Sequence, residues 1–402
     1  MSVGDASRGG IGRSWLLYFS LALASMSFSA TGPVAIIMAA SREGGLTLAQ
    51  TSSWLFASIG INGLASIAIS WKMRQPLLFL WTIPGAILAA PVIAQYGFGA
   101  AVGTYLVCAV VLLVLGVTNL VALLDRWVPM PVVMAMIAGL FIKYVLAVVH
   151  SSVAAPLIGA GMLLTFFGLM WLERRNAAPL PPLIGAMLTG AAILFATGFQ
   201  LPGHGGGVWT ATPALVAPRF DIHAISQLLL PMLITVLFVQ NAQGIAVTRA
   251  SGYGTSLRMV TIYSGVLTAI TAPFGGCPSV LAGPSNAILV SGGTHGRHYI
   301  GALIAGVICV AIGVFSTAYV FLLASLPGAY IAILAGLAMM GVLEKAFVAA
   351  FRSALPLSAM IVFVVTLSDV TLLGVGAAFW GVVAGCVVCY GIEKPHAGAA
   401  RA

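Results

Sequence analysis

The chain has 402 residues, of which 61% are hydrophobic and only 6% charged. Soluble domains carry roughly 25% charged residues, so this chain has too little polar surface to face water and must have lipid as its main solvent. Its net charge of +9 is spread between apolar runs, which argues against a nucleic-acid surface and fits positive loops on the cytoplasmic side of a membrane.

At about 20 apolar residues per crossing, the sequence divides into fourteen transmembrane spans, all helical, with no room for a soluble domain. The first half, residues 1–200, places them near 14–40, 52–70, 77–93, 97–118, 129–148, 155–173 and 180–198. The second half, residues 201–402, places them near 228–248, 257–273, 278–292, 298–324, 327–347, 354–368 and 371–391. The third and tenth are short for a regular crossing. Arg8 and Arg13 precede the first run without a convincing cleavage site, so that run is read as a first helix. With the N-terminus inside, fourteen of the seventeen Lys and Arg fall on the cytoplasmic side. Arg42 and Arg219 fall opposite, and Lys143 lies within a span near its outer end. A missed span would invert everything after it, so this asymmetry supports the count and puts both termini in the cytoplasm.

A faint internal repeat runs through the chain. The fifth span (Pro129 to Leu140) and the twelfth (Leu326 to Leu337) both carry proline near the start and Ala-Gly-Leu further in, 197 positions apart. Pro84-Gly85 in the third span and Gly283-Pro284 in the tenth are about 200 apart. Halves of seven spans each must be inverted relative to one another, the plan of many secondary transporters.

Helix breaks at membrane depth are tolerated only where protein or a water-filled cavity surrounds them, and breaks at matching positions of two halves point to a binding site. Four places qualify. They are Thr31-Gly32-Pro33 in the first span, Thr82-Ile83-Pro84-Gly85 in the third, Gln240-Asn241-Ala242-Gln243 in the eighth, and Pro278-Ser279 through Ser285-Asn286 in the tenth. Half-helices starting near the midplane, after Pro84 and after Pro278, would aim unpaired N–H groups at one point, a ready site for a carboxylate. The amides, with Ser279, would supply side-chain hydrogen bonds, and Phe238 would cover a flat apolar body. For a single kink or amide, packing or interhelical hydrogen bonding is the commoner role; the cluster as a whole favours function.

The remaining chemistry is sparse. Glu344 and Lys345 follow the twelfth span and read as interfacial, and Asp125, Glu173 and Asp369 lie near span ends. The histidines form no metal spacing, and His295 and His298 read as a solvated loop. Cys386 and Cys389 lie inside the last apolar run and read as small buried residues. No Walker loop, metal set or cofactor motif is present, and no cluster of ionisable groups suggests an enzyme.

At these residues the chain resembles the benzoate:proton symporter family. The matching segments are Thr31-Gly32-Pro33, Ser53-Trp54, Trp81 to Ala86, Gln240-Asn241 through Gly244 to Tyr253, and Ala272 to Gly276. More distantly it is similar to the uracil and xanthine nucleobase:cation symporters. The resemblance implies an aromatic carboxylate and a proton as the transported partners, alternating access, and a multi-pass protein of the bacterial inner membrane. It also implies a core domain from spans 1–4 and 8–11 and a gate domain from spans 5–7 and 12–14. Spans 3 and 10 would each hold a brief strand before a half-helix. Proteins of related fold often pair through the gate domain, so a homodimer is among the expected assemblies. Where the nucleobase carriers use acidic residues on spans eight and ten, this chain has Gln240 and Pro284, which suits an anion. A nucleobase or other organic anion as cargo, and a passive anion channel of the same fold, remain as alternatives.

Overall fold

The computed structural model describes residues 4–121, 129–175, 180–200, 208–370, 372 and 376–393, with side chains from Trp15 onward. Arg126, Asp125, His204, Lys394, His396 and Arg401 lie outside the described residues, as do the side chains of Arg8 and Arg13.

Of the described residues, 79% are helical. In order, α1 is Gly4–Glu43, α2 Leu48–Met73, α3 Ile83–Tyr96, α4 Phe98–Val117, α5 Met130–Ala154, α6 Pro156–Glu173 and α7 Pro182–Ala196. Then come α8 Ile222–Ala250, α9 Leu257–Phe274, α10 Gly283–Leu289, α11 His298–Val314 (continued after a 68° bend as Ser316–Ser325), α12 Gly328–Phe351, α13 Pro356–Leu367 and α14 Ala377–Glu393. Among the described residues, eight helices are long and apolar enough to cross a membrane, nine if the bent α11 is one span. Helices α3, α7, α13 and α14 are apolar but shorter. This is a multi-pass membrane protein.

Two three-residue strands, β1 (Phe79–Trp81) before α3 and β2 (Ser279–Leu281) before α10, pair antiparallel with Leu80 opposite Val280. Thr82 N–H donates to the Pro278 carbonyl and Ala282 N–H to the Leu78 carbonyl, each at 3.0 Å, so the ladder closes at both ends in the same way.

Helices α1–α4 pack mainly with α8–α11, and α5–α7 mainly with α12–α14; α1 and α3 bridge the two groups by lying on α12 and α5. The contacts come in matched pairs: α2 lies on α11 as α9 lies on α4, α1 lies on α11 as α8 lies on α4, and α6 pairs with α7 as α13 pairs with α14. Small residues set the closest approaches. A Cβ on Gly63 of α2 would come within 2.3 Å of Cys309 Cβ, and one on Gly313 within 2.4 Å of Gly60 Cα. Such small-residue seams are how membrane helices gain van der Waals contact without a hydrophobic driving force.

Four sequence expectations change. The first span is not broken at Thr31-Gly32-Pro33. Helix α1 runs through Pro33, and in the turn that the proline disturbs the Tyr319 hydroxyl donates to the Ala30 carbonyl. The tenth-span half-helix starts at Gly283 and not after Pro278, since residues 279–281 are spent on the strand pair. Helix α12 continues to Phe351, so Lys345 lies within it and not beyond it. His298 is buried, its ring 2.8 Å from the Tyr253 hydroxyl, because the loop after α8 folds over it. All five cysteines are free thiols.

Substituting Gly63 by leucine should force α2 off α11 and cost about 1–3 kcal/mol, as overpacking does. The detergent-solubilised protein should then unfold several degrees lower, while Gly254→Ala, where a Cβ meets nothing within 4 Å, should leave the midpoint unchanged.

Candidate functional site

The strand pair sits where backbone cannot rely on water, and side chains from four helices complete it. Ser66 on α2 accepts from Phe79 N–H at 2.8 Å, and Thr268 on α9 accepts from Ser279 N–H at 3.0 Å. Asn241 Oδ1 accepts from Leu281 N–H at 2.9 Å while its amide donates to Ser264 at 3.0 Å. Asn286 Oδ1 accepts from Leu78 N–H at 3.1 Å, and its amide donates to the carbonyls of Leu78 and Ala282 at 3.0 and 2.8 Å. Ser279 donates to Asn62 at 2.9 Å. All of these side chains are fully buried.

From this frame the two half-helices emerge alike. Each follows its strand by one extended cap residue, Thr82 or Ala282, and carries proline second, Pro84 or Pro284. The Thr82 hydroxyl accepts from Gly85 N–H at 3.3 Å. The N–H groups of Ile83, Gly283 and Ser285 meet no acceptor among the described residues. Glycine at 283 lets the Gln243 side chain lie against the helix start, since a Cβ there would lie 2.6 Å from Gln243 Cγ. Gly244 likewise lets α8 ride on β2, where a Cβ would meet the Leu281 carbonyl oxygen at 2.5 Å.

A cavity of about 500 Å³ opens beside these helix starts. Phe28, Ile137, Phe141, Phe238 and Met339 make its walls mainly apolar. Its polar groups are Gln240, Gln243 and Lys345, and Lys345 is the one charged residue among the described lining. At its inner end it meets a void of about 20 Å³ with which it shares Phe28, Ile83, Gln240 and Pro284. That void is closed by Trp81, Ser29 and Ser285. The two serine hydroxyls lie 2.7 Å apart, the Trp81 indole N–H is buried without a partner, and the Gln240 amide has no hydrogen-bond partner among the described residues. The inner end therefore offers donors with nothing to donate to, in front of a pocket that fits a flat apolar body.

Of the residues singled out in the sequence, Ile83, Pro84, Phe238, Gln240 and Gln243 line the main cavity and Ser285 the small void. The others lie off it. Thr31 bonds within its own helix and Gly32 packs α1 on Ala338. Gly85 is covered by Met232 and Thr82. Thr82, Asn241, Ser279 and Asn286 have their polar groups engaged in holding the strands and helix starts, and Pro278 lends its carbonyl to Thr82. For the strand partners the cause is that extended backbone inside a membrane protein consumes the nearest amides and hydroxyls. Sequence reasoning missed Phe28, Ser29 and Lys345. The signal for Lys345 was present, because apolar residues continue past it to Phe351.

A match to the family model for the benzoate membrane transport protein covers residues 19–390. The chain belongs to this family. It is accordingly a membrane transporter and not an enzyme. It is 31% identical over 360 residues to the inner membrane protein YdcO of Escherichia coli (strain K12), covering 89% of this chain and 90% of that one. It is 27% identical over 399 residues to the benzoate membrane transport protein of Acinetobacter baylyi (strain ATCC 33305 / BD413 / ADP1), covering 96% and 98%. Its fold is similar to the transmembrane domain of a cyanobacterium bicarbonate transporter, BicA, with a TM-score of 0.62 at 15% identity, covering 92% of this chain and 96% of that one.

Because Asn286 Oδ1 is the acceptor for Leu78 N–H, while the Leu78 carbonyl keeps the Ala282 N–H, Asn286→Leu should strand that one donor and cost about 1–3 kcal/mol. The variant should lose thermal stability and transport together, whereas loss of transport at unchanged stability would give Asn286 a role beyond holding the strand.

Proposed function

We propose that this transporter imports a small aromatic carboxylate, benzoate-like, together with a proton, across a bacterial inner membrane. The observation that carries this reading is the mainly apolar cavity of about 500 Å³ ending at unpartnered donors: the Gln240 amide, the Trp81 indole and the starts of α3 and α10. An aromatic ring matches the Phe28, Phe141 and Phe238 walls. The carboxylate belongs at the inner end, where helix N-termini favour negative charge. No carboxylate lines either cavity compartment among the described residues, which favours an anion over a cation and over the nucleobase alternative.

The mechanism is alternating access between two groups of helices. In this reading the fourteen segments form two inverted sevens, residues 1–200 and 201–402. The matched helix contacts and the like starts of α3 and α10 support that symmetry. Spans 1–4 and 8–11 act as the core carrying the substrate, and spans 5–7 and 12–14 as the gate. Both termini face the cytoplasm. One proton moving with one anion makes the cycle electroneutral. A homodimer through the gate helices fits the exposed apolar faces of α6, where Leu157, Leu164 and Trp171 point outward.

The test is uptake of radiolabelled benzoate into proteoliposomes, acidic outside, after subtraction of entry into protein-free vesicles. Saturable, gradient-enhanced uptake is expected. Gln240→Ala should raise KM about tenfold, the loss of one hydrogen bond to a charged group. Uptake equal to the protein-free control would overturn the substrate, and saturable uptake indifferent to the pH gradient would overturn the coupling.

A further inference from the structure

A second cavity, of about 440 Å³, lies at the other end of the same groove between α3 and α5 and shares no lining residue with the first. Along α5, Met130, Met134, Ile137 and Phe141 face the first cavity, while Leu140, Lys143, Tyr144 and Ala147 face the second. The layer formed by Ile83 and Ile87 with Ile137, Leu140 and Phe141 separates them.

Each cavity holds one lysine among its described lining. Lys345 comes from the C-terminal half of α12 and Lys143 from the C-terminal half of α5. These two helices pack on each other, and they occupy corresponding places in the two halves of the chain. Their C-terminal halves therefore reach opposite ends of the groove. The lysines differ in pairing. Lys345 is in none of the ion pairs among the described residues, although its cavity runs through to the Gln240 end. Lys143, whose cavity is cut off from that end, is paired with Asp369. Asp369 sits just past the C-terminus of α13, where the helix dipole disfavours a carboxylate, so it needs a cation beside it. Glu43 at the end of α1 also lines this cavity, and Tyr144 is the neighbouring titratable group on α5.

We propose that Lys345 and Lys143 are the two side-specific receiving groups for the substrate carboxylate, one for each face of the membrane. Asp369 occupies Lys143 while its cavity is cut off, and an arriving carboxylate replaces Asp369 once the layer at Ile83 and Phe141 opens. Lys345 stands free in the cavity that runs through to the Gln240 end. Neither lysine reaches the Gln240 end; each collects the anion for it. This inference rests on the anion-transport reading above.

The experiment measures benzoate KM in vesicles of each orientation, right-side-out and inside-out. Lys345→Gln should raise KM about tenfold in one orientation only, and Lys143→Gln by a similar factor only in the other, as loss of a charge-assisted contact predicts. Arginine at either position should restore most of the affinity, and Asp369→Asn, which frees Lys143, should lower KM on the Lys143 face. That last variant keeps the test alive if Lys143→Gln misfolds. Unchanged KM in both orientations, the result for lysines that merely reach toward lipid headgroups, would overturn the inference while leaving the transport reading intact. So would equal changes in both orientations. A wild-type protein with no saturable benzoate movement would remove the transport reading and this inference with it.

Discussion

The antiparallel pairing of β1 with β2 inside a membrane protein is the constraint on which the rest depends. Extended backbone exposes donors and acceptors that lipid cannot satisfy. The strands face each other over three residue pairs, and their outward N–H groups, with that of Leu78 just before β1, are met by Ser66, Thr268, Asn241 and Asn286. Each side chain comes from a different helix, so α2, α8, α9 and α10 are held in register by the two strands and Leu78 beside them. Broken helices then follow as a consequence: α3 and α10 start where the strands end, with prolines that need no N–H partner.

That arrangement also explains why the polar residues divide into two kinds. Asn241 and Gln240 are neighbours, yet one amide is bonded to Leu281 and Ser264 and the other faces a cavity. The wide turn of α8 at Thr235–Asn241 sets which way each points, and such turns recur at functional sites. Among the described residues, polar groups are left without partners where the frame is already complete, as at Gln240, at the Trp81 indole and at the first N–H groups of the half-helices.

The two cavities place charge only at a distance from this inner end. Lysines line the cavities, while the inner end itself carries dipoles and amides. A fixed lysine at the inner end would hold an anion tightly and slow its release; dipoles bind it more weakly.

Membrane residence, helix content and the short helices that start within Thr82-to-Gly85 and Gly283-to-Asn286 were legible in the sequence. Hydropathy and helix-breaking residues are local properties that lipid makes decisive. Only the tertiary structure decided which of those residues face a cavity. Thr31 and Gly32 became packing, Asn241, Ser279 and Asn286 became strand partners, and Lys345 moved from an interfacial loop to a cavity wall. The reason is that a hydrogen bond is allotted by what lies within about 3 Å, and residues such as Asn286 and Leu78, 208 positions apart, become neighbours only after the fold is made.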